Sequence, residues 1–445
     1  MAAIASTAST TVNVGPCASA QRVDDDDDCN GAALRHKTAL VQRKDFVDWV
    51  RGIAVVAMVI WHTADGWLTT DVRVGQSWAV LRFIGGLAAP CFLFLAGTAV
   101  ALSAREDRSA AQPLIVAVAR GLEIMLVGYA LRFQTWMIDA AAITHLYLVR
   151  AWLPLGVGYA LLFVSLKVLA EGAPEAKRRA RWFALAGASL VVLGLAQVPW
   201  LAPGRLPRLL QIDVLQAIGA SLVLLALGER KLRLLQRPWL ACALGAAIAL
   251  CTEPLWTVLP SVLPVPLAAY LGKFEPAQGA PAPALFPLFP WFAYACVGAA
   301  FGTALRLYRA ETERVVVAAG VAGALLAIAT SEAHHFVQSW VALAPWCVHP
   351  LRVAFRTGLV LVLLLGGFLW ADGTRGRLLV AYGRSSLRVY WAHLLVAYGT
   401  LGHPWQKHLS MGEWAARLVP LMGVMWLLTR VGKSAPVPRK AEAPA

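Results

Sequence analysis

Two residues in the first apolar stretch have types and spacing that could do chemistry. Arg51 and His62 are eleven positions apart, close to three whole helical turns, so they share one helix face about 16 Å apart along the axis. A pantetheine arm has a comparable length. A cation at one mouth of a membrane span could therefore hold the phosphates of coenzyme A while the thioester reached an imidazole deeper in. Asp48, three residues before Arg51, lies on the same face and could pair with it. Asp65, one turn past His62, could orient the imidazole or stabilise its cation. Ionisable groups inside a membrane are costly and tend to be functional. Two plainer readings stand beside this one: Asp48 and Arg51 as a topological anchor, and His62 as a hydrogen-bonding residue near the end of its span.

A companion segment runs from Gly383 to His393. Tyr390 and His393 share a helix face at i, i+3. Ser385 and Ser386 could cap the helix start, where free backbone N–H groups and Arg384 would favour a phosphate; simple capping plus a packed polar pair is the other reading. Asp213 and Gln216, in the segment Gln211 to Gln216, sit at the start of another apolar block. They could bind a hydroxyl-rich acceptor, or serve a helix N-terminus that favours a carboxylate. Phe286 to Phe292, with Pro287 and Pro290, reads as interfacial anchoring. Phe94 to Gly97 lies in a helix that also holds Gly85 and Gly86, which suits close helix packing. Phosphate-binding glycine loops, dinucleotide fingerprints, HExxH and GxSxG are missing.

The elements that must position these groups are membrane helices. Of 445 residues 59% are hydrophobic and only 15% charged, whereas a soluble chain has about a quarter charged. Mean hydropathy is +0.62. The apolar residues fall in blocks near the 20 or so residues that cross a hydrocarbon layer, without strand alternation. Twelve blocks are legible, at 46–66, 79–103, 113–133, 151–170, 182–201, 212–228, 238–259, 286–305, 315–331, 353–371, 386–401 and 413–430. The expected architecture is all-α, a polytopic transmembrane helical bundle of about 11–12 spans with no soluble domain.

The net charge of +15 sits in short clusters between the blocks, as cytoplasmic loops require, which argues against a nucleic-acid partner. Arg43 and Lys44, Arg105 and Arg108, Lys177 to Arg179, Arg230 to Arg237, Arg306 to Arg314, Arg375 and Arg377, and Lys433 to Lys440 alternate with sparser segments. That asymmetry puts both termini in the cytoplasm. Residues 1–43, with the acidic run Asp24 to Asp28, read as a disordered tail without a secretory signal. Residues 44–431 form the membrane domain and 432–445 a second cytoplasmic tail. The long connections at 259–285, rich in proline, and 332–352, with His334, His335 and His349, fall on the far side. The seven cysteines show no metal or disulfide spacing, and neither a metal nor a disulfide is expected.

In joint order these segments resemble the heparan-α-glucosaminide N-acetyltransferase catalytic-domain family and its bacterial relatives. The matching pieces are Asp48-Trp49-Val50-Arg51-Gly52 with His62, Pro90 to Gly97, Ile212 to Gln216, Phe286 to Trp291, and Gly383 to Leu387 leading to His393. They are scattered in order across residues 44–401, a range that covers most of the chain. The arginine–histidine spacing also resembles the wider transmembrane acyltransferase-3 families. The resemblance implies transfer of an acyl group, expected to be acetyl, from cytosolic acyl-CoA to a sugar amine or hydroxyl on the far side of the membrane. His62 would be the general base or acyl-carrying histidine, supported by Asp65. Asp48, Arg51, Arg384 and Ser386 would hold the donor, and Asp213, Gln216, Tyr390 and His393 would serve the acceptor or support the site. The chain departs from the lysosomal enzymes in having no histidine in the connection 66–78, and the spans at 151–170 and 182–201 look like an addition. Expected partners are membrane lipid, acyl-CoA and a glycan or other hydroxyl or amine acceptor, in a bacterial inner membrane. The competing reading is a transporter or flippase for a glycan or lipid-linked intermediate, with Glu123 as its main mid-span polar group.

Overall fold

A computed structural model describes residues 25–104, 112–139, 145–171, 174–272, 282–340 and 345–431. The chain divides into Met1–Lys44 and Asp45–Ala445, and the account below concerns the second unit. It is all-α and polytopic: among the described residues nine helices are long and apolar enough to cross a membrane. Their elements are α1 (Asp25–Trp67, with its candidate span Asp45–Trp67), α2 (Gly75–Ser103), α3 (Gln112–Asp139), α4 (His145–Glu171) and α5 (Pro174–Leu201). After α6 (Val214–Leu232) come α7 (Pro238–Val262), α8 (Leu288–Leu307), α9 (Thr312–Trp340) and α10 (Pro345–Trp370). The chain ends in α11 (Thr374–Arg384), α12 (Ser386–Ala397) and α13 (Met411–Leu428). The three remaining apolar blocks of the sequence are thus helical as α6, α12 and α13. They fall outside the nine because α6 ends in Glu229, Arg230 and Lys231, α12 has only 12 residues, and α13 only 18 with Glu413 and Arg417.

Within a bilayer the backbone must satisfy itself, which leaves packing to small residues and hydroxyls. Helix α8 is the centre of the bundle, with 78% of its apolar window buried, against 17% for α4 and α5. Those two helices form a peripheral hairpin, closed by the Ser165 hydroxyl donating to the Ala180 carbonyl at 2.8 Å. The segment Phe94 to Gly97 does pack closely. A methyl group at Gly97 would stand 2.0 Å from the Ala295 carbonyl oxygen, and one at Gly298 would stand 1.9 Å from that of Phe94. The Thr98 hydroxyl joins the two backbones by donating to the Gly298 carbonyl at 3.0 Å. Several other buried hydroxyls turn back on their own helices, as Thr63 on Val59, Ser221 on Ala217 and Thr252 on Ile248, which satisfies those donors internally.

Two connections differ from the sequence reading. The proline-rich stretch after α7 opens with a further short helix, Val265–Leu271, whose Pro266 occupies a first-turn position needing no N–H donor. The expected connection at 332–352 is mostly taken up by the ends of α9 and α10. Likewise α1 extends back to Asp25, into the segment expected as tail. Residues 1–24, 273–281 and 432–445, and the side chains of His334 and His335, lie outside the described residues.

Candidate functional site

Early in its candidate span, α1 is crossed by α11 at a point where each helix presents a glycine. A methyl at Gly52 would meet the Leu379 carbonyl oxygen at 2.0 Å, and one at Gly383 that of Asp48 at 1.8 Å. Such contact delivers Arg384, the last residue of α11, onto the acidic face of α1. Arg51 Nη1 donates to Asp48 Oδ1 at 2.5 Å, while Arg384 Nε reaches Asp48 Oδ2 at 3.2 Å and its Nη2 reaches Asp45. Two carboxylates and two guanidiniums therefore neutralise one another across a junction of elements more than 300 residues apart in sequence.

Beside this junction lies a cavity of about 660 Å³, bordered by Arg51, Arg384, Ser386, Arg388, Arg120 and Tyr390 among others. Asp48 is not on its wall. The start of α12 opens into it. Ser385 is the N-cap residue of α12 but its side chain makes no capping bond; its hydroxyl instead accepts from Arg388 at 3.0 Å. The first N–H groups of α12 are thus left for another acceptor.

Eleven residues along α1 from Arg51, His62 meets α12. His62 Nδ1 and His393 Nε2 are 2.8 Å apart, with the rings within 8° of parallel, and His393 Nδ1 is 2.9 Å from the Val389 carbonyl oxygen. A carbonyl can only accept, so His393 carries its proton on Nδ1. In a neutral ring that makes Nε2 an acceptor, and His62 Nδ1 must donate to it. Neutral His62 is then left with an unprotonated Nε2, to which no described residue is hydrogen-bonded. His393 is fully buried, with Tyr390 edge-on at 5.7 Å between ring centres. Asp65, the partner that the sequence suggested for His62, is engaged elsewhere. Its carboxylate takes Arg73 Nη1 at 3.2 Å and the Tyr398 hydroxyl at 3.0 Å.

The end of α1 is held by cations, as the last carbonyls of a helix favour. Lys407 Nζ donates to the Asp65 carbonyl at 2.9 Å and Arg73 Nε to that of Leu68 at 3.2 Å. Burial, followed by the charge of nearby Arg73, pushes the Lys407 ammonium below its ordinary value.

His62 borders two further cavities, of about 540 and 660 Å³. The first shares Phe92, Val214 and Tyr390 with the Arg51 cavity. The second extends to Asp65, Arg132, Arg205 and Tyr398. Three adjoining cavities thus run along α1, from Arg51 past His62 to Asp65.

Asp213 is on the walls of both His62 cavities. It is the N-cap of α6, accepting from Val214 N at 2.7 Å, while Gln216 Oε1 takes the Asp213 N–H at 3.1 Å, so the two make a reciprocal capping box. The other Asp213 oxygen accepts from Arg132 Nη2 at 2.8 Å. Gln216 is fully buried against Gly128 of α3 and touches none of the three cavities. Glu123 is neutralised by Arg120 at 2.8 Å and Lys167 at 2.7 Å, so the mid-span carboxylate on which the transporter reading relied is already paired. Among the described residues no group of three His, Cys, Asp or Glu could hold a metal ion.

The structure brings together Asp48, Arg51, Arg384 and Ser386 at one end and His62, His393, Tyr390 and Asp213 at the other. Asp65 borders a cavity with His62 but bonds to Arg73 and Tyr398 rather than to the imidazole, and Gln216 touches none of the three cavities. Missed from the sequence were Asp45, Arg120, Arg388, Arg132, Arg82, Arg356 and Tyr398. Only Asp45, three residues before Asp48 on the same face, left a local signal.

A family model described as heparan-alpha-glucosaminide N-acetyltransferase, catalytic, matches residues 43–322. The matched segment takes in Arg51, His62, Asp65 and Asp213; Arg384, Tyr390 and His393 lie beyond it. No curated protein matches the chain.

Proposed function

The chain belongs to the heparan-α-glucosaminide N-acetyltransferase catalytic family, and on that premise we propose that it moves an acyl group, acetyl in the first instance, from cytosolic acyl-CoA to an amine or hydroxyl of a sugar or other polar acceptor on the far side of the membrane. The observation that carries this reading is the hydrogen-bonded line His62–His393–Val389, which leaves a basic nitrogen on the wall of adjoining cavities.

The donor's phosphates would lie at the Arg51 cavity, against Arg384, Arg388, Ser386 and the free N–H groups at the start of α12. Arg51 and Arg384 arrive already paired with Asp45 and Asp48, which fixes their positions and tempers their charge. From there a pantetheine arm would span the roughly 16 Å of helix between Arg51 and His62. His62 Nε2 takes the proton as the acceptor's nitrogen or oxygen attacks the thioester carbon. The C–S bond then breaks, and the proton passes from Nε2 to the departing thiolate, giving acylated acceptor and free coenzyme A. His393 accepts from His62 Nδ1 throughout and steadies the imidazolium. Tyr390 and Asp213 shape the space beside it. The site would sit in a bacterial inner membrane with both chain termini on the donor side.

The test is label transfer from radiolabelled acetyl-CoA to a panel of amino sugars and glycans by the purified protein, with His62→Ala alongside. Transfer by the wild type that disappears in a folded variant supports the reading. Equal transfer by both removes His62 from the chemistry. No acyl-CoA binding or turnover by the wild type sinks the acyltransferase itself.

A further inference from the structure

The cavity between His62 and α10 contains two guanidiniums that the transfer reaction just described does not use. Arg82 of α2 and Arg356 of α10 both line it, together with Trp61, Phe286 and Trp291. Arg356 crosses α2 at Gly86, where an added methyl would lie 2.8 Å from its Nη2. The Tyr294 hydroxyl interacts with the same guanidinium from α8. Arg352, one turn earlier on α10, adds a third positive charge nearby. The one carboxylate on this wall, Asp213, is committed to Arg132 at 2.8 Å. Among the described residues neither Arg82 nor Arg356 has an ion-pair partner.

Unpaired arginines at membrane depth are costly, and two converging on one cavity favour a doubly contacted oxyanion there. Arg82 is seven residues into α2, about 10 Å from its start, and Arg356 seven residues beyond His349, where the α10 span begins. Both therefore lie toward one end of the bundle, the end that also carries His62. The indoles of Trp61 and Trp291 offer the flat apolar walls on which a sugar ring rests. We propose that Arg82 and Arg356 form an oxyanion subsite beside His62 that takes the phosphate of a sugar phosphate acceptor. This rests on the acyltransferase reading for its purpose. Arg82, Arg356 and His62 border the same cavity, which gives the acceptor a charged handle beside the base.

Two sources could bring that phosphate: a lipid-borne sugar phosphate sliding in between α2 and α10, where Arg82 and Phe83 are exposed and Phe83 meets Phe355, or a free sugar phosphate from water. The experiment measures binding without acyl-CoA, so it stands apart from whether transfer occurs. Wild type, Arg82→Gln and Arg356→Gln are placed in nanodiscs of zwitterionic lipid and titrated with dodecyl phosphate, dodecanol and glucose 1-phosphate. Arg417→Gln, which removes an equal charge from α13, serves as the control. Each cavity variant should bind dodecyl phosphate about tenfold more weakly than wild type, a loss of about 1.4 kcal/mol, while the control binds as wild type and dodecanol shows no arginine dependence. If Arg356→Gln does not fold, Arg82→Gln, altered at an exposed side chain, carries the test alone. Tighter binding of dodecyl phosphate than of glucose 1-phosphate assigns the lipid source, and equal or reversed affinity assigns the free one. Unchanged dodecyl phosphate affinity in the folded variants, or equal binding of dodecanol, overturns the subsite.

Discussion

Replacing His393 by phenylalanine keeps an aromatic ring in a fully buried position and removes both of its hydrogen bonds. The Val389 carbonyl stays within its own helix, but His62 Nδ1 loses its acceptor at 2.8 Å. A buried donor left without a partner costs about 1–3 kcal/mol. The imidazole escapes that cost by rotating or by shifting its proton to Nε2, and either response takes the base away from the acceptor. At 1.36 kcal/mol per factor of ten in rate, kcat should fall about 10- to 100-fold, with little change in the KM for acetyl-CoA, whose proposed cavity His393 does not touch. His393→Gln places an amide oxygen that can accept from Nδ1 and should recover part of the loss. The assay is acetyl transfer from labelled acetyl-CoA, read as kcat and KM separately, on protein checked by thermal melting. A folded His393→Phe variant within about twofold of wild type would refute the tautomer argument. So would a glutamine variant as slow as the phenylalanine one with the same melting temperature.

Three further outcomes follow from packing and charge. Gly383→Ala would drive a methyl into the Asp48 carbonyl at 1.8 Å; it should destabilise the bundle by about 3 kcal/mol or more, seen as a lower melting temperature in detergent. Arg384→Gln should raise the KM for acyl-CoA several-fold with kcat nearly unchanged, because its exposed guanidinium is already shared between Asp45 and Asp48 and its contribution is screened; isothermal titration with coenzyme A checks the same loss. Arg306→Gln removes the group that holds the Ala104 and Leu235 carbonyls at the end of α8. It should cost about 2–4 kcal/mol in melting experiments, without altering the KM of the remaining folded enzyme.

Periodicity within one element was a good guide to this molecule. Arg51 and His62 keep their shared face because α1 is unbroken between them, and Tyr390 and His393 meet because three residues separate them on α12. Apolar length likewise located the long helices and α6, α12 and α13, but not α11 or the short helix Val265–Leu271. Contacts between elements left no such trace. His62 and His393 are 331 residues apart, and their pairing depends on two glycines letting α11 lie against α1. Asp65 has the helical spacing expected of a partner for His62, yet it lies at the end of α1, where Arg73 and Tyr398 can reach it first. Arg82 and Arg356 lay within apolar blocks, apart from any motif, and only the fold puts them in one cavity.

Between the Arg51 cavity and the first His62 cavity, the shared residues are Phe92, Val214 and Tyr390. A hydrocarbon layer is ordinarily about 30 Å of insulator, whereas here the insulator narrows to the width of a few side chains. If, as proposed, the two cavities open to opposite faces and fill with water, most of the transmembrane voltage would fall across that waist, with His62 at its edge. Moving one charge through the full drop is worth about 2.3 kcal/mol per 100 mV, so on the proposed reading proton exchange at His62 would be coupled to the electrical polarity of the membrane. Tyr390→Ala, by thinning the waist, should turn reconstituted vesicles leaky to protons under an imposed potential, and a dye-quench assay reads that directly. On the proposed function, the side chains that would admit a long thioester arm to the imidazole are thus also the ones that would keep the membrane charged.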